Sequence, residues 1–313
     1  MLRVLTYHRI AGPESTLWLD PTLISATPSD FERQARYLSD SFPVVALADV
    51  LHALETGTDL PENAVLLTFD DAYADFGKIA WPILKHFKLP ATLFVPTAYP
   101  DHPNRLFWWD RLYRAIAFSG APYLEGTPFG LMPLRTLDDR YAVLRRMRNH
   151  LKTVTHQEAL TLVDQLCLKL GNPSPGANDV LSWDQLRKLA CEGVTLAAHT
   201  QTHPLLTQIA PEAARDEIVG SQHDLDRHIG ETLPAFCFPS GQYNDTLNSI
   251  LKQEGFKLAF TTEQGVNDLK CADPWRLRRI NVTRRTSPMT FRLRLTGLGV
   301  QIDAWRHRQR RRH

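Results

Sequence analysis

Short apolar runs that alternate with capped helical patterns constrain this chain more than any other feature. Residues 2–7, 64–69, 91–95, 194–198, 235–238 and 258–261 each read as a buried strand, with 42–46 a weaker one. A continuous apolar run closed by a polar turn suits a parallel sheet covered on both faces. Helix starts stand between these runs. Ser29 with Glu32, Thr155 with Glu158, and Ser182 with Gln185 have capping-box spacing. Pro211 fits a first helical position and is followed by acidic residues near the positive end of the dipole. Strand–helix alternation of this kind predicts an α/β fold with a parallel sheet or barrel.

One stretch departs from the alternation. Between Pro96 and Asn178 no strand is expected, and helical patterns near 104–118, 137–150 and 156–170 suggest a helical insertion at about 100–178. Its Leu106-Phe107-Trp108-Trp109-Asp110 is a candidate wall for stacking a sugar, with core packing as the plainer account of such a cluster. Pro173-Ser174-Pro175-Gly176 reads as the return loop. Residues 287–305 read as a last helix, interrupted at Gly297 and Gly299, before a tail at 306–313 that is nearly all Arg and His. The expected organisation is one catalytic domain over 1–286, then the C-terminal helix and tail over 287–313.

Composition narrows the class without naming a partner. A chain of 313 residues, 43% hydrophobic, with a net charge of +2, is an ordinary globular protein. No apolar run is long enough to span a bilayer. The opening residues already read as a strand, with no charged leader ahead of an apolar signal region, so a cytoplasmic protein is expected. Cys167, Cys191, Cys237 and Cys271 are scattered without Cys-x-x-Cys pairs, which suits reduced thiols. The basic tail is a frayed solvated end, or a point of peripheral contact with anionic membrane. A tail without a wider basic face does not predict a nucleic-acid partner.

Two strand ends carry chemistry. The run from Ala64 stops at Asp70-Asp71, and neighbouring strand residues point to opposite sides, so the two carboxylates suit different tasks. An Asx turn or helix cap is the bland alternative. The run from Val194 stops at His199, with His203 four residues on; a helical turn there would put both imidazoles on one face. Two imidazoles and one carboxylate form a metal set that leaves positions open for water and substrate.

Thr68-Phe69-Asp70-Asp71 and His199-Thr200-Gln201-Thr202-His203 resemble the first two motifs of the polysaccharide deacetylase family, the nodulation-deacetylase homology domain of carbohydrate esterase family four. Leu181-Ser182-Trp183-Asp184-Gln185-Leu186 and Phe238-Pro239-Ser240-Gly241-Gln242-Tyr243 extend the likeness, which runs from Leu2 to about Val282 apart from the insertion. The resemblance implies a distorted (β/α)7-type barrel. It implies that Asp71, His199 and His203 hold a divalent metal, most plausibly zinc, with cobalt or nickel as substitutes. Asp70 would be the general base that activates water, and the Ser240 N–H would hold the oxyanion. Tyr243 and Trp108 are the candidate substrate contacts.

Two departures from the family pattern stand out. Cys237 occupies the place of the Arg that orients the base, and no Leu-x-x-His follows the stretch at 238–243. The opening Val4-Leu5-Thr6-Tyr7-His8-Arg9 resembles the permuted branch of the family, which includes poly-N-acetylglucosamine deacetylases, so His8 becomes the expected general acid. In Asp273-Pro274-Trp275-Arg276-Leu277-Arg278-Arg279, Arg279 is the candidate substitute for the missing Arg, with Asp273 orienting it or His8. The function implied is a metal-dependent amidohydrolase that removes N-acetyl groups from an amino sugar in a saccharide or glycolipid intermediate. Deformylase, O-acetyl esterase or imidase chemistry on the same scaffold, a carbohydrate-binding pseudoenzyme and a nucleic-acid binder are the alternatives.

Overall fold

The computed structural model describes residues 1–12, 19–171, 179–296 and 299. Its centre is a ring of parallel strands: β1 (Arg3–Tyr7), β2 (Val65–Phe69), β3 (Thr92–Val95), β4 (Thr195–Ala198), β5 (Ala235–Cys237), β6 (Leu258–Gln264) and β7 (Leu277–Asn281). β1 pairs with β2 from Arg3↔Val65 to Tyr7↔Phe69, and with β7 through Leu5↔Ile280, which closes the barrel. Val44–Val45 adds a short strand beside the start of β2. The expected distorted (β/α)7-type barrel is therefore the fold.

Alternation along the strands sorts side chains to two sides. Val4, Leu66, Phe94, Ala197, Cys237 and Phe260 share one buried cluster; Leu5, Leu67, Leu93, Leu196, Phe236 and Ala259 share another with the helix residues Phe31, Leu84, Leu186 and Ile218. The second set lies under the helical layer, so the first fills the barrel. Thr6 and Thr68 continue the inner set towards the carboxyl ends of the strands, where the Thr68 hydroxyl meets Thr6. That end is where α/β barrels carry chemistry.

Three expectations need correction. β7 was not among the expected strands, because Arg278 and Arg279 break its apolar run; a buried counter-charge makes room for Arg279 inside the barrel. The helix Pro28–Ser41 starts before the Ser29–Glu32 box: Thr27 is the cap, accepting from the Asp30 N–H, and Pro28 takes the first turn. The insertion also contains strands. Tyr123–Thr127 and Gly130–Pro133 form an antiparallel hairpin, largely exposed and therefore without the apolar run that marks a buried strand.

The insertion's helices are Trp108–Phe118, Leu137–Leu151 and His156–Lys169, packed around a core of their own that includes Leu112, Ile116, Val143, Met147, Val163 and Leu166. Its return is tied to the barrel by backbone: Ala74 donates to Asp179 O at 2.7 Å and Leu181 to Ala72 O at 2.9 Å. The chain leaving the insertion thus runs antiparallel to the residues just after Asp71, with a bridge at Tyr73↔Val180. At the far end the helix Pro288–Leu295 is capped by Ser287. The return loop 173–176, Gly297 and the basic tail 306–313 lie outside the described residues. No helix among the described residues is long and apolar enough to cross a membrane.

Candidate active site

β2 delivers the two carboxylates. Asp70 still belongs to the ladder, its N–H donating to Tyr7 O at 3.0 Å. Asp71 and Ala72 then turn with φ of 72° and 51°. Thr200 and His203 after β4 and Ser240 after β5 are left-handed as well, with φ of 64°, 59° and 54°. Backbone of this kind, costly outside glycine, concentrates here in the three loops that carry the candidate residues. The histidine pair does not sit on a helical turn, as the sequence suggested. An irregular loop brings the rings together, pinned where the His203 N–H donates to Thr200 Oγ1 at 3.0 Å.

Asp71 Oδ1 lies 3.5 Å from His199 Nε2 and 3.4 Å from His203 Nε2. All three side chains are buried, and their ligand atoms lie within 4.8 Å of one another. Asp71 Oδ1 has no hydrogen-bond partner among the described residues. A buried carboxylate oxygen without a donor, facing two imidazole nitrogens, is a set that a divalent cation satisfies. The Nδ1–H of His199 donates to Cys237 O at 2.7 Å, which leaves Nε2 as the ring atom facing Asp71. Burial pushes the His203 imidazole down to about 3, so it is neutral and free to ligate. Burial also opposes charge on His199, but Cys237, Asp71 and Asp70 outweigh it and raise its pKa, an attraction that a bound cation would share. Burial would raise Asp71 too; His199 and His203 hold it below its ordinary value.

Asp70 is set apart from this cluster by Arg279. The guanidinium donates Nη1 to Oδ1 and Nη2 to Oδ2, both at 2.8 Å, and its Nε–H goes to Thr261 O at 2.8 Å. This two-pronged, charge-assisted geometry both neutralises the carboxylate and fixes its orientation. Burial would raise the Asp70 pKa, but Arg279 overrules it and keeps the carboxyl well below the usual carboxylate range. Arg279 comes from β7, two strands along from Cys237, where the family pattern has its Arg. The Cys237 thiol stands 3.8 Å from Asp70 Oδ2, and burial pushes its pKa up. Asp70, His199 and Cys237 also lie close enough to share an ion. With Asp70 committed to Arg279 and the thiol protonated, that set suits a cation less well than the first.

His8 reaches the same carboxylate from β1: its Nε2 is 4.0 Å from Asp70 Oδ2, and its ring is partly exposed. The remaining candidates are held by partners of their own. Ser240 occupies the turn after β5, where Thr262 Oγ1 donates to Ser240 O at 3.1 Å. The Tyr243 hydroxyl donates to Glu263 at 3.0 Å. Trp108 stands edge-on to Trp109 at 5.5 Å and packs on the insertion core; its neighbours Phe107 and Trp109 are the ones that approach His203. Asp273 pairs with Arg276 at 3.0 Å and accepts from the Trp275 N–H, an engagement that differs from the expected orientation of Arg279 or His8.

Arg9 and Asp75 were not among the residues singled out from sequence. Arg9 is fully buried and pairs with Asp75 at 3.2 Å and Asp179 at 2.6 Å, while Asp75 also accepts from the Ile10 N–H at 2.8 Å. Burial pushes Asp75 up to about 6, with Arg9 pulling it back. These bonds tie the residues after His8 to the loop after Asp71. A charged residue directly following a strand-end His was the available signal.

The family model for polysaccharide deacetylase matches residues 57–259. A Bacillus subtilis protein named for the same family, YxkH, is 20% identical over 265 residues, covering 84% of this chain and 65% of that protein. The Escherichia coli K12 poly-β-1,6-N-acetyl-D-glucosamine N-deacetylase is 34% identical over 85 residues, 27% of this chain and 13% of that protein. The chain thus spans less than two thirds of the length of these relatives. Among solved structures, the Streptococcus pyogenes deacetylase PplD superposes with a TM-score of 0.62 at 23% identity, covering 94% of this chain and 98% of that one. IcaB from Ammonifex degensii does so with a TM-score of 0.63 at 19% identity, covering 94% and 97%. This chain belongs to the polysaccharide deacetylase family.

Proposed function

We propose that the protein is a metal-dependent hydrolase that removes N-acetyl groups from an amino sugar in a saccharide or glycolipid. The observation that carries this reading is the convergence of Asp71, His199 and His203 beside a second carboxylate, Asp70, that Arg279 keeps ionised. The names of relatives that act on poly-β-1,6-N-acetyl-D-glucosamine support an amino-sugar substrate.

In this reading Asp71, His199 and His203 hold the metal, and the nitrogen–oxygen donor set favours zinc. A bound divalent ion brings the pKa of water from 15.7 to about 7 and polarises the acetyl carbonyl. Asp70 accepts the proton of the attacking water, and Arg279 fixes the direction in which its oxygens point. His8, facing the same carboxylate, gives a proton to the departing amine. The Ser240 N–H donates to the oxyanion, a contribution of about 3 kcal/mol for one donor. Trp108 and Tyr243 are the proposed contacts for the saccharide. Four free cysteines, two of them exposed, support a reducing compartment and hence a cytoplasmic location. Culture or periplasmic fractions containing the protein would contradict that location.

The test is release of acetate from a panel of N-acetylated saccharides, with formamides and O-acetyl esters as competitors. Acetate release that chelator abolishes and zinc or cobalt restores is the expected result. Preferential formate release, ester cleavage alone, or saccharide binding without turnover would overturn the assignment.

A further inference from the structure

The two imidazoles of the candidate metal set are held by different means. His199 is keyed by its hydrogen bond to Cys237 O. His203 Nδ1 is buried and has no hydrogen-bond partner among the described residues. A metal-ligating histidine ordinarily donates its second nitrogen to an acceptor that fixes the ring. His203 is enclosed by aromatic edges instead. Trp109 stands 4.7 Å away at 68°, Phe107 5.9 Å away at 74°, and His199 4.8 Å away at 77°.

Phe107 and Trp109 come from the start of the insertion, outside the barrel. Phe107 stacks on Trp109 at 4.4 Å and on Tyr99 at 4.0 Å. The Trp109 Nε1–H donates to the Tyr73 hydroxyl at 3.0 Å. Tyr73 lies two residues beyond Asp71, and its ring faces the Arg9 guanidinium at 3.6 Å. A single indole therefore touches His203 with its ring and reaches the Asp71 loop with its N–H.

We propose that Trp109 is a positioning residue for metal binding: its ring sets the orientation of His203, so the insertion helps to retain the ion. The proposal rests on the metal-hydrolase reading above for the ion itself. The experiment is a titration of the metal-free full chain with zinc and cobalt against a chromophoric chelator, with the visible spectrum of the cobalt form as a second readout. Trp109→Leu should weaken binding by roughly 10-fold or more, the usual size of an outer-shell loss, and alter the cobalt spectrum, while the metal-free melting curve stays cooperative. Trp109→Phe keeps an aromatic edge and should restore most of the affinity; Tyr73→Phe, which removes only the hydroxyl, should bind nearly as the parent does. Unchanged affinity and spectrum in Trp109→Leu would overturn the proposal. Should that variant fail to fold, Phe107→Leu takes its place, with a smaller loss expected and an unchanged affinity again contradicting it. A parent protein that takes up no metal would overturn the hydrolase reading and this proposal with it, a result distinct from retained affinity in the variants.

Discussion

At the scale of single residues the site depends on how Asp70 and Asp71 are told apart. They are adjacent in sequence and equally buried, yet Asp70 meets a guanidinium and Asp71 meets two imidazoles. Removing one partner of a buried ion pair strands the other charge, at a cost of about 3–5 kcal/mol. Metal-free Asp70→Asn should therefore be less stable by about that amount near neutral pH. The pKa of Asp70 is depressed on folding, so its stabilisation is complete above the unfolded value of about 3.9 and fades as pH falls towards the lower folded value. Denaturation of the parent and the variant across that range should show the gap between them narrowing in acid. A gap that persists unchanged to low pH would contradict the pairing. His8 permits a kinetic test at the same scale. His8→Ala should slow amide substrates more than activated esters, because a good leaving group needs less protonation. Equal loss on both would remove His8 from the acid role.

At the scale of elements, the ends of β2, β4 and β5 supply the site, and the turn after each of these strands holds strained backbone. After β5, Gly241 has a φ of 68° and lies so close to Thr262 that a Cβ would collide with its backbone and side chain. Gly241→Ala should destabilise the fold by more than about 1 kcal/mol and displace the Ser240 N–H. Urea unfolding at parent stability would refute that. Strands β1 to β6 were legible because each is an apolar run ending in polar residues. β7 was not, because its chemistry-bearing Arg278-Arg279 looks like surface until the partner carboxylate is known. Asp71, His199 and His203 could be picked out from residue type and spacing, but the left-handed turns that join them could not. Asp and His tolerate φ above zero better than most residues, but nothing in the local pattern marks Asp71 or His203 as left-handed; the closed barrel around them offsets the conformational cost. The Arg9–Asp75–Asp179 tie was hidden for a similar reason, since it joins positions far apart in sequence.

At the scale of the whole molecule, a barrel closed by β1 and β7 brings His8, Asp70 and Arg279 to one mouth, while Phe107 and Trp109 from the start of the insertion pack against His203. The central proposal is that Asp71, His199 and His203 bind a common cation that Asp70 does not ligate. The most direct measurement is metal stoichiometry and affinity, by titration of metal-free protein with zinc or cobalt, in the parent, Asp70→Asn, Asp71→Asn, His199→Ala and His203→Ala. One ion per chain is predicted in the parent and in Asp70→Asn, the latter with nearly all turnover lost, and severe loss of affinity in the other three. Parent-like binding in Asp71→Asn or in either histidine variant would contradict the claim.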